Sequence, residues 1–194
     1  MTALNNRQFL LARRPVGVAS RDDFTFQTVP VATAAEGQIV VKSEYLSLDP
    51  AMRGWMNEGK SYIAPVELGA VMRALGVGKV IESNHPGFAV GDYVQGVLGV
   101  QDYFVGEPKG LHKVDPQLLP LPVYLAALGM TGMSAYFALL EVGQPKAGDT
   151  VVISGAAGAV GSVAGQIAKI KGCRVIGIAG GKDKCQTLID EFGF

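Results

Sequence analysis

Along roughly the first 120 residues, apolar positions come in short runs or alternate with a period of two, and breakers interrupt them at close intervals. Phe24 to Val29, Gln38 to Leu46, Gly76 to Glu82 and Tyr93 to Gln95 read as strands. They are separated by turns such as Asn84-His85-Pro86-Gly87 and Gly91-Asp92. Many short strands with such turns predict a small, irregular β-barrel. The longest departure is Asp49-Pro50-Ala51-Met52-Arg53-Gly54-Trp55-Met56, where proline after an Asp cap predicts a short helix. Its Met52, Trp55 and Met56 either line a pocket or plug the end of the barrel.

The pattern changes near residue 120. Pro108, Pro116, Pro120 and Pro122 sit among few charges and mark a connection between domains, so the expected division is 1–120 and 121–194. From Leu125 to Val142 the apolar positions take helical spacing, broken near the start by Met130-Thr131-Gly132 and stopped by Gly143 and Pro145. Val151 to Ser154 then reads as a strand, the residues after Gly158 as a helix, and Arg174 to Ala179 as a second strand. A last helix runs to about Phe192. That order is a βαβ unit followed by one more helix.

The turn inside this unit names a ligand class. Ala156-Ala157-Gly158-Ala159-Val160-Gly161 fits the dinucleotide fingerprint if Ala156 stands for the first glycine. The middle glycine admits a pyrophosphate to the backbone, the last lets helix pack on strand, and the helix N-terminus offers unpaired N–H groups. Small residues at such a turn also serve packing alone, and it is the flanking strands and helix that favour the nucleotide. Past the second strand come Ala179-Gly180-Gly181-Lys182-Asp183-Lys184, with no acid at the strand end to hold a ribose 2′-hydroxyl. Lys182 and Lys184 suit a 2′-phosphate, which favours NADP over NAD. The alternative is a pair of solvated lysines around a capping Asp183.

Charge and cysteine usage narrow the partners. Seventeen Lys+Arg balance seventeen Asp+Glu with no local basic cluster, so nucleic acid and anionic membranes are not expected. The apolar run near the N-terminus is too short for a signal or a membrane span, and a cytoplasmic protein is expected. Cys173 and Cys185 lack the spacing of a metal or redox motif and read as reduced structural thiols. His85 in a turn and His112 near the connection leave no metal-ligand set.

Taken together, the stretches Leu46 to Gly54, Gly76 to Val80, Gly91 to Val94, Ala127 to Gly132 and Gly155 to Gln166 resemble the zinc-independent branch of the medium-chain dehydrogenase/reductase superfamily. Within it they are similar to the prostaglandin reductase and 2-alkenal (enone) double-bond reductase group. The resemblance implies a GroES-like catalytic barrel followed by the first βαβα part of a Rossmann domain, incomplete because the chain is C-terminally truncated. It implies NADPH as hydride donor, reduction of a C=C bond conjugated to a carbonyl, and a homodimeric parent. By position, Ala157, Gly158, Ala159, Val160 and Gly161 match the pyrophosphate loop. Gly180 lies at the second-strand end, Lys184 matches the 2′-phosphate lysine, and Met130 and Thr131 match the segment that passes the nicotinamide. Many members carry Tyr where this chain has Ala51.

Hydride transfer without a metal leaves negative charge on the carbonyl oxygen, and some donor must meet it. Tyr45, Arg53 and Tyr62 are the polar candidates, and nothing in the sequence chooses among them. Two readings stay open beside enone reduction: a quinone oxidoreductase, and a folded fragment with weak nucleotide binding and no catalysis.

Overall fold

The computed structural model describes residues 4–194. The chain divides into two compact units, Met1–Pro122 and Val123–Phe194.

The N-terminal unit is built on strands. In chain order these are β1 (Asn5–Leu11), β2 (Phe24–Pro30), β3 (Ile39–Leu46), then a five-residue helix α1 (Ala51–Trp55), β4 (Leu75–Ser83), β5 (Tyr93–Val97), β6 (Tyr103–Gly106) and β7 (His112–Val114). Strands β6-β3-β4-β5-β7 form one antiparallel sheet, and β1-β2 form a separate antiparallel hairpin. Isolated bridges at Gln8–Gln101 and Leu10–Val71 tie the hairpin in. Strand β3 lies between β4 and β6 and opens with buried Ile39, Val40 and Val41, which fits a strand covered on both faces.

Strand β1 is absent from the apolar pattern for a physical reason. Its first half is Asn-Asn-Arg-Gln, and side-chain amides hold it there. Buried Asn6 donates through Nδ2 to the Tyr103 carbonyl (2.8 Å) and accepts the Tyr103 N–H through Oδ1 (2.9 Å), so one side chain imitates a strand's backbone pair. Gln27 donates to Gln8 (2.9 Å), Gln8 to Gln101 (2.8 Å), and Gln101 to the Leu98 carbonyl (2.7 Å). Strands β6 and β7, of four and three residues, also escaped the pattern because they are too short to show alternation.

One expectation about α1 is corrected, and one of two alternatives is favoured. Asp49 does not cap the helix with its side chain: Pro50 holds the cap position without a side-chain bond, and the Met52 N–H meets the Asp49 backbone carbonyl (2.9 Å). The carboxylate instead accepts the Ser47 hydroxyl on Oδ1 (3.0 Å), while Oδ2 is buried with no partner. Met52, Trp55 and Met56 are 9%, 6% and 5% exposed and pack with Leu11, Val66, Met72 and Ala74, so they help to close the core. A second core gathers Ile39, Val41, Val80, Val94, Leu98 and Leu111.

The C-terminal half continues with α2 (Leu121–Leu125), inside which the division between units falls, and α3 (Met130–Phe137). The helix expected from Leu125 is thus two. The break is at 126–129, ahead of Met130, and Gly129 is the N-cap of α3. Residues Ala138–Gly143 extend α3 as a wider π-type turn that ends at Gln144 in the left-handed region (φ 47°). Then come β8 (Thr150–Ser154), α4 (Ala159–Ile170), β9 (Arg174–Ile178) and α5 (Lys182–Thr187), with a π-type turn Leu188–Phe192. Strands β8 and β9 pair in parallel, from Thr150–Arg174 to Ser154–Ile178. The core here is small: Ala168, Cys173 and Val175, with Leu139, Val151, Ile153 and Phe194 partly buried around them. Val152, Ile176 and Ile178 remain 58%, 40% and 54% exposed. Among the described residues no helix is long and apolar enough to cross a membrane.

Candidate functional site: an anion-ready turn at the end of a parallel strand pair

Parallel pairing puts the carboxyl ends of β8 and β9 on one edge, and both following turns lie there. Gly155 leaves β8 in the left-handed conformation (φ 63°), which a side chain would strain. Ala156 is fully buried, and its N–H returns to the Ile178 carbonyl (3.0 Å), locking the first turn to the end of β9. The Gly158 N–H meets the Gly155 carbonyl (2.9 Å), and Gly158 then caps α4 with extended backbone and no side-chain bond.

Two glycines of the turn do different work. A Cβ on Gly161 would strike the Gly155 carbonyl and lie 2.8 Å from the Ala156 Cα, so this glycine exists for packing of α4 on the turn. A Cβ on Gly158 would meet only the Gly155 carbonyl, at 3.1 Å; the space around it is otherwise open. The first intrahelical bond comes from Ser162 to the Gly158 carbonyl (2.9 Å). Among the described residues, the N–H groups of Ala159, Val160 and Gly161 meet no protein acceptor. Open space beside three convergent donors at a helix N-terminus is suited to an anion.

Along the same edge, Ala179 and Gly180 follow β9, and Gly181 (φ 86°) caps α5. Asp183 is corrected here: it sits in the first turn of α5, and no side chain caps that helix. Lys182 and Lys184 are exposed and form no ion pair with any described residue. An anion beside them would therefore compete with water rather than with a carboxylate. Met130 opens α3 and is 55% exposed, and Thr131 Oγ1 donates to the Ala126 carbonyl (3.1 Å). Helix α3 packs against α4, so these two residues belong to the same unit as the turn.

The three polar candidates of the N-terminal unit are placed apart in role. Tyr45, on β3 and 49% exposed, lines a cleft of about 370 Å³ with Arg7, Phe9, Phe26, Glu44 and Asp102. Neither Arg53 nor Tyr62 lines that cleft. The Arg53 guanidinium is engaged structurally, donating to the carbonyls of Gly17 (2.9 Å) and Pro15 (3.0 Å) and to Asn57 Oδ1 (2.5 Å). Tyr62 is 84% exposed and accepts the Trp55 indole N–H (3.2 Å).

Of the remaining expectations, His85 accepts the Gly87 N–H through Nδ1 (3.0 Å) and packs edge-on against Phe88, as a turn residue does. The described residues contain no group of His, Cys, Asp and Glu able to hold a metal ion. Both cysteines are free; the thiols reach the Lys146 carbonyl (3.4 Å) and the Ala179 carbonyl (3.6 Å). Sequence reasoning passed over Arg73, which belongs to no recognisable spacing.

Residues 7–114 match the family described as the N-terminal domain of oxidoreductase. The chain belongs to this family, in keeping with its resemblance to the zinc-independent medium-chain dehydrogenase/reductases. It is 45% identical to the NADPH-dependent curcumin reductase of Escherichia coli, over 97% of this chain and 55% of that protein. It is 40% identical to a 2-alkenal reductase (NADP(+)-dependent) of Nicotiana tabacum, over 98% and 57%. The crystal structure of CurA in complex with NADPH from Vibrio vulnificus superposes with a TM-score of 0.89 at 48% identity, covering 97% of this chain and 56% of that one. The chain thus spans little more than half the length of these relatives.

Proposed function

We propose that this chain is the N-terminal part of an NADPH-dependent reductase acting on the C=C bond of α,β-unsaturated ketones and aldehydes. In this reading the N-terminal unit is a GroES-like catalytic domain, and the C-terminal unit is the first βαβα portion of a Rossmann domain, in a cytoplasmic, homodimeric protein. The observation that carries the proposal is the open backbone at Gly158 beside the unpaired N–H groups of Ala159, Val160 and Gly161.

These residues fit the cofactor. Ala157 to Gly161 would hold the pyrophosphate, while Lys182 and Lys184, with Gly180 leaving room, would hold the 2′-phosphate. Met130 and Thr131 would flank the nicotinamide side. NADPH, when bound, supplies the hydride. The chain's own contribution is to fix the anionic half of the cofactor and to leave no acid at the end of β9, where a ribose 2′-hydroxyl would otherwise be held. The printed activities of the curcumin and 2-alkenal reductases support reduction of a conjugated C=C bond.

The test is NADPH consumption by a protein of the relatives' full length carrying this chain, with a short 2-alkenal, an aryl enone and a quinone offered separately. Turnover of the alkenal or enone is expected. Turnover of the quinone alone would replace the reading by quinone reduction, and NADPH binding without any turnover would reduce it to a binding module. In the same protein Lys184→Ala should weaken NADPH about tenfold and leave NADH nearly unchanged.

A further inference from the structure

The N-terminal unit holds a second cleft, of about 440 Å³, between the 64–73 segment and the turn after β5. Its wall is largely apolar, with Val66, Ala70, Leu98 and Phe104 among the lining residues, and Arg73 is the only basic residue on it. The Arg73 guanidinium is half-buried, donates from Nη1 to the Ala64 carbonyl (2.9 Å), and lies 5.4 Å from the centre of the Trp55 ring. No carboxylate lies within ion-pair distance of it among the described residues; Glu67, which also lines the cleft, makes no ion pair with it. Its other N–H groups meet no described acceptor.

A cation in a mostly apolar cleft without a counter-ion is an unbalanced arrangement. The guanidinium is partly exposed, so water meets its remaining N–H groups, and an anion of matching shape can take that water's place. The Ala64 carbonyl and the Trp55 face hold the guanidinium in place but neutralise nothing. The planar fork that remains matches a carboxylate, which it can bind through two parallel bonds. The rest of the cleft offers apolar surface on the scale of a small organic ligand.

We infer that this cleft is a binding site for a small monocarboxylate with an apolar body, its carboxylate paired with Arg73 and its body against Pro65, Val97 and Phe104. The site lies wholly in the N-terminal unit and stands independently of the nucleotide reading. Trp55, the single tryptophan of the sequence, reports on it directly, because the cation lies over its ring.

The experiment titrates the chain with 3-phenylpropionate and, separately, with the neutral 3-phenylpropionamide, reading Trp55 fluorescence. The acid should give a saturable change and bind at least about tenfold more tightly than the amide. Arg73→Gln should erase that preference and Arg73→Lys should keep part of it, with circular dichroism showing that both variants fold. Equal affinity for acid and amide in the unaltered chain, or no saturable signal with either, would overturn the inference even if the variants failed to fold. Undiminished preference for the acid in folded Arg73→Gln would overturn it as well.

Discussion

The two units solve the same problem, covering apolar residues, to different degrees. In the N-terminal unit, strands face both a hairpin and a helix, and Leu11, Ile39, Met72, Leu98, Val41 and Val80 are all at most 1% exposed. In the C-terminal unit a parallel pair has its core of Ala168, Cys173 and Val175, while Val152, Ile176 and Ile178 stay in solvent. None of the largest fully buried side chains belongs to it. Within these residues apolar burial is therefore concentrated in the N-terminal unit, and the turn at Gly158 sits on the less buried one. Elements with few buried contacts open at lower free energy, so the C-terminal amides should exchange first.

That contrast is open to direct attack. The largest effect is expected from Leu11→Ala, which empties a site at the centre of the first core and should cost about 3 kcal/mol. Denaturant unfolding followed by Trp55 fluorescence measures it. A loss below about 1 kcal/mol would mean that this core collapses readily around the gap. Next comes Gly161→Ala, at about 2 kcal/mol, because the colliding groups are backbone and cannot swing aside. Hydrogen exchange should show lost protection in β8, α4 and β9 and unchanged protection in β3 and β4. Equal loss in both units would show that they unfold as one.

The smallest effect concerns pH. Hydrogen bonds from the Arg13 guanidinium (2.7 Å) and then the Ser20 N–H (2.7 Å) hold the Asp23 carboxyl below the usual carboxylate range. Arg7 does the same for Asp102, and Lys113 for Asp92, each chiefly through a side-chain hydrogen bond. A carboxyl whose folded value is depressed binds protons more weakly folded than unfolded. Its contribution is thus complete above the unfolded value of about 3.9 and fades as pH falls through the folded one. Acid should destabilise the N-terminal unit over that range, and Asp23→Asn should flatten the dependence. An unchanged pH profile in this variant would remove Asp23 from the account.

What the sequence made legible follows from where the information is local. The β8–α4–β9–α5 order was readable because strand, glycine turn and helix each carry their own signal within a few residues. The pairing of Ser154 with Ile178 then puts both turns on one edge without further instruction. Strand β1 was not readable, since Asn6 and Gln8 are positioned by Tyr103 and Gln101, more than ninety residues away. Asp49 failed as a cap for a similar reason. Its carboxylate is turned to Ser47 and inward, so the local preference yielded to tertiary surroundings. Met52, Trp55 and Met56 were correctly apolar, but whether apolar side chains line a cavity or fill one depends on what faces them. Arg73 carries no spacing at all and becomes conspicuous only because it forms no ion pair with any described residue.

The central claim is that the turn at Gly158 is a cradle for the phosphates of NADP. Backbone amide shifts of the labelled chain, recorded while NADP⁺ is added, address it most directly. The account predicts that the largest changes fall on Gly158, Ala159, Val160 and Gly161, with a second group at Lys182 to Lys184, and that Gly158→Ala diminishes both while leaving the spectrum of the N-terminal unit intact. Saturating changes elsewhere, or none at these amides at millimolar nucleotide, would contradict it.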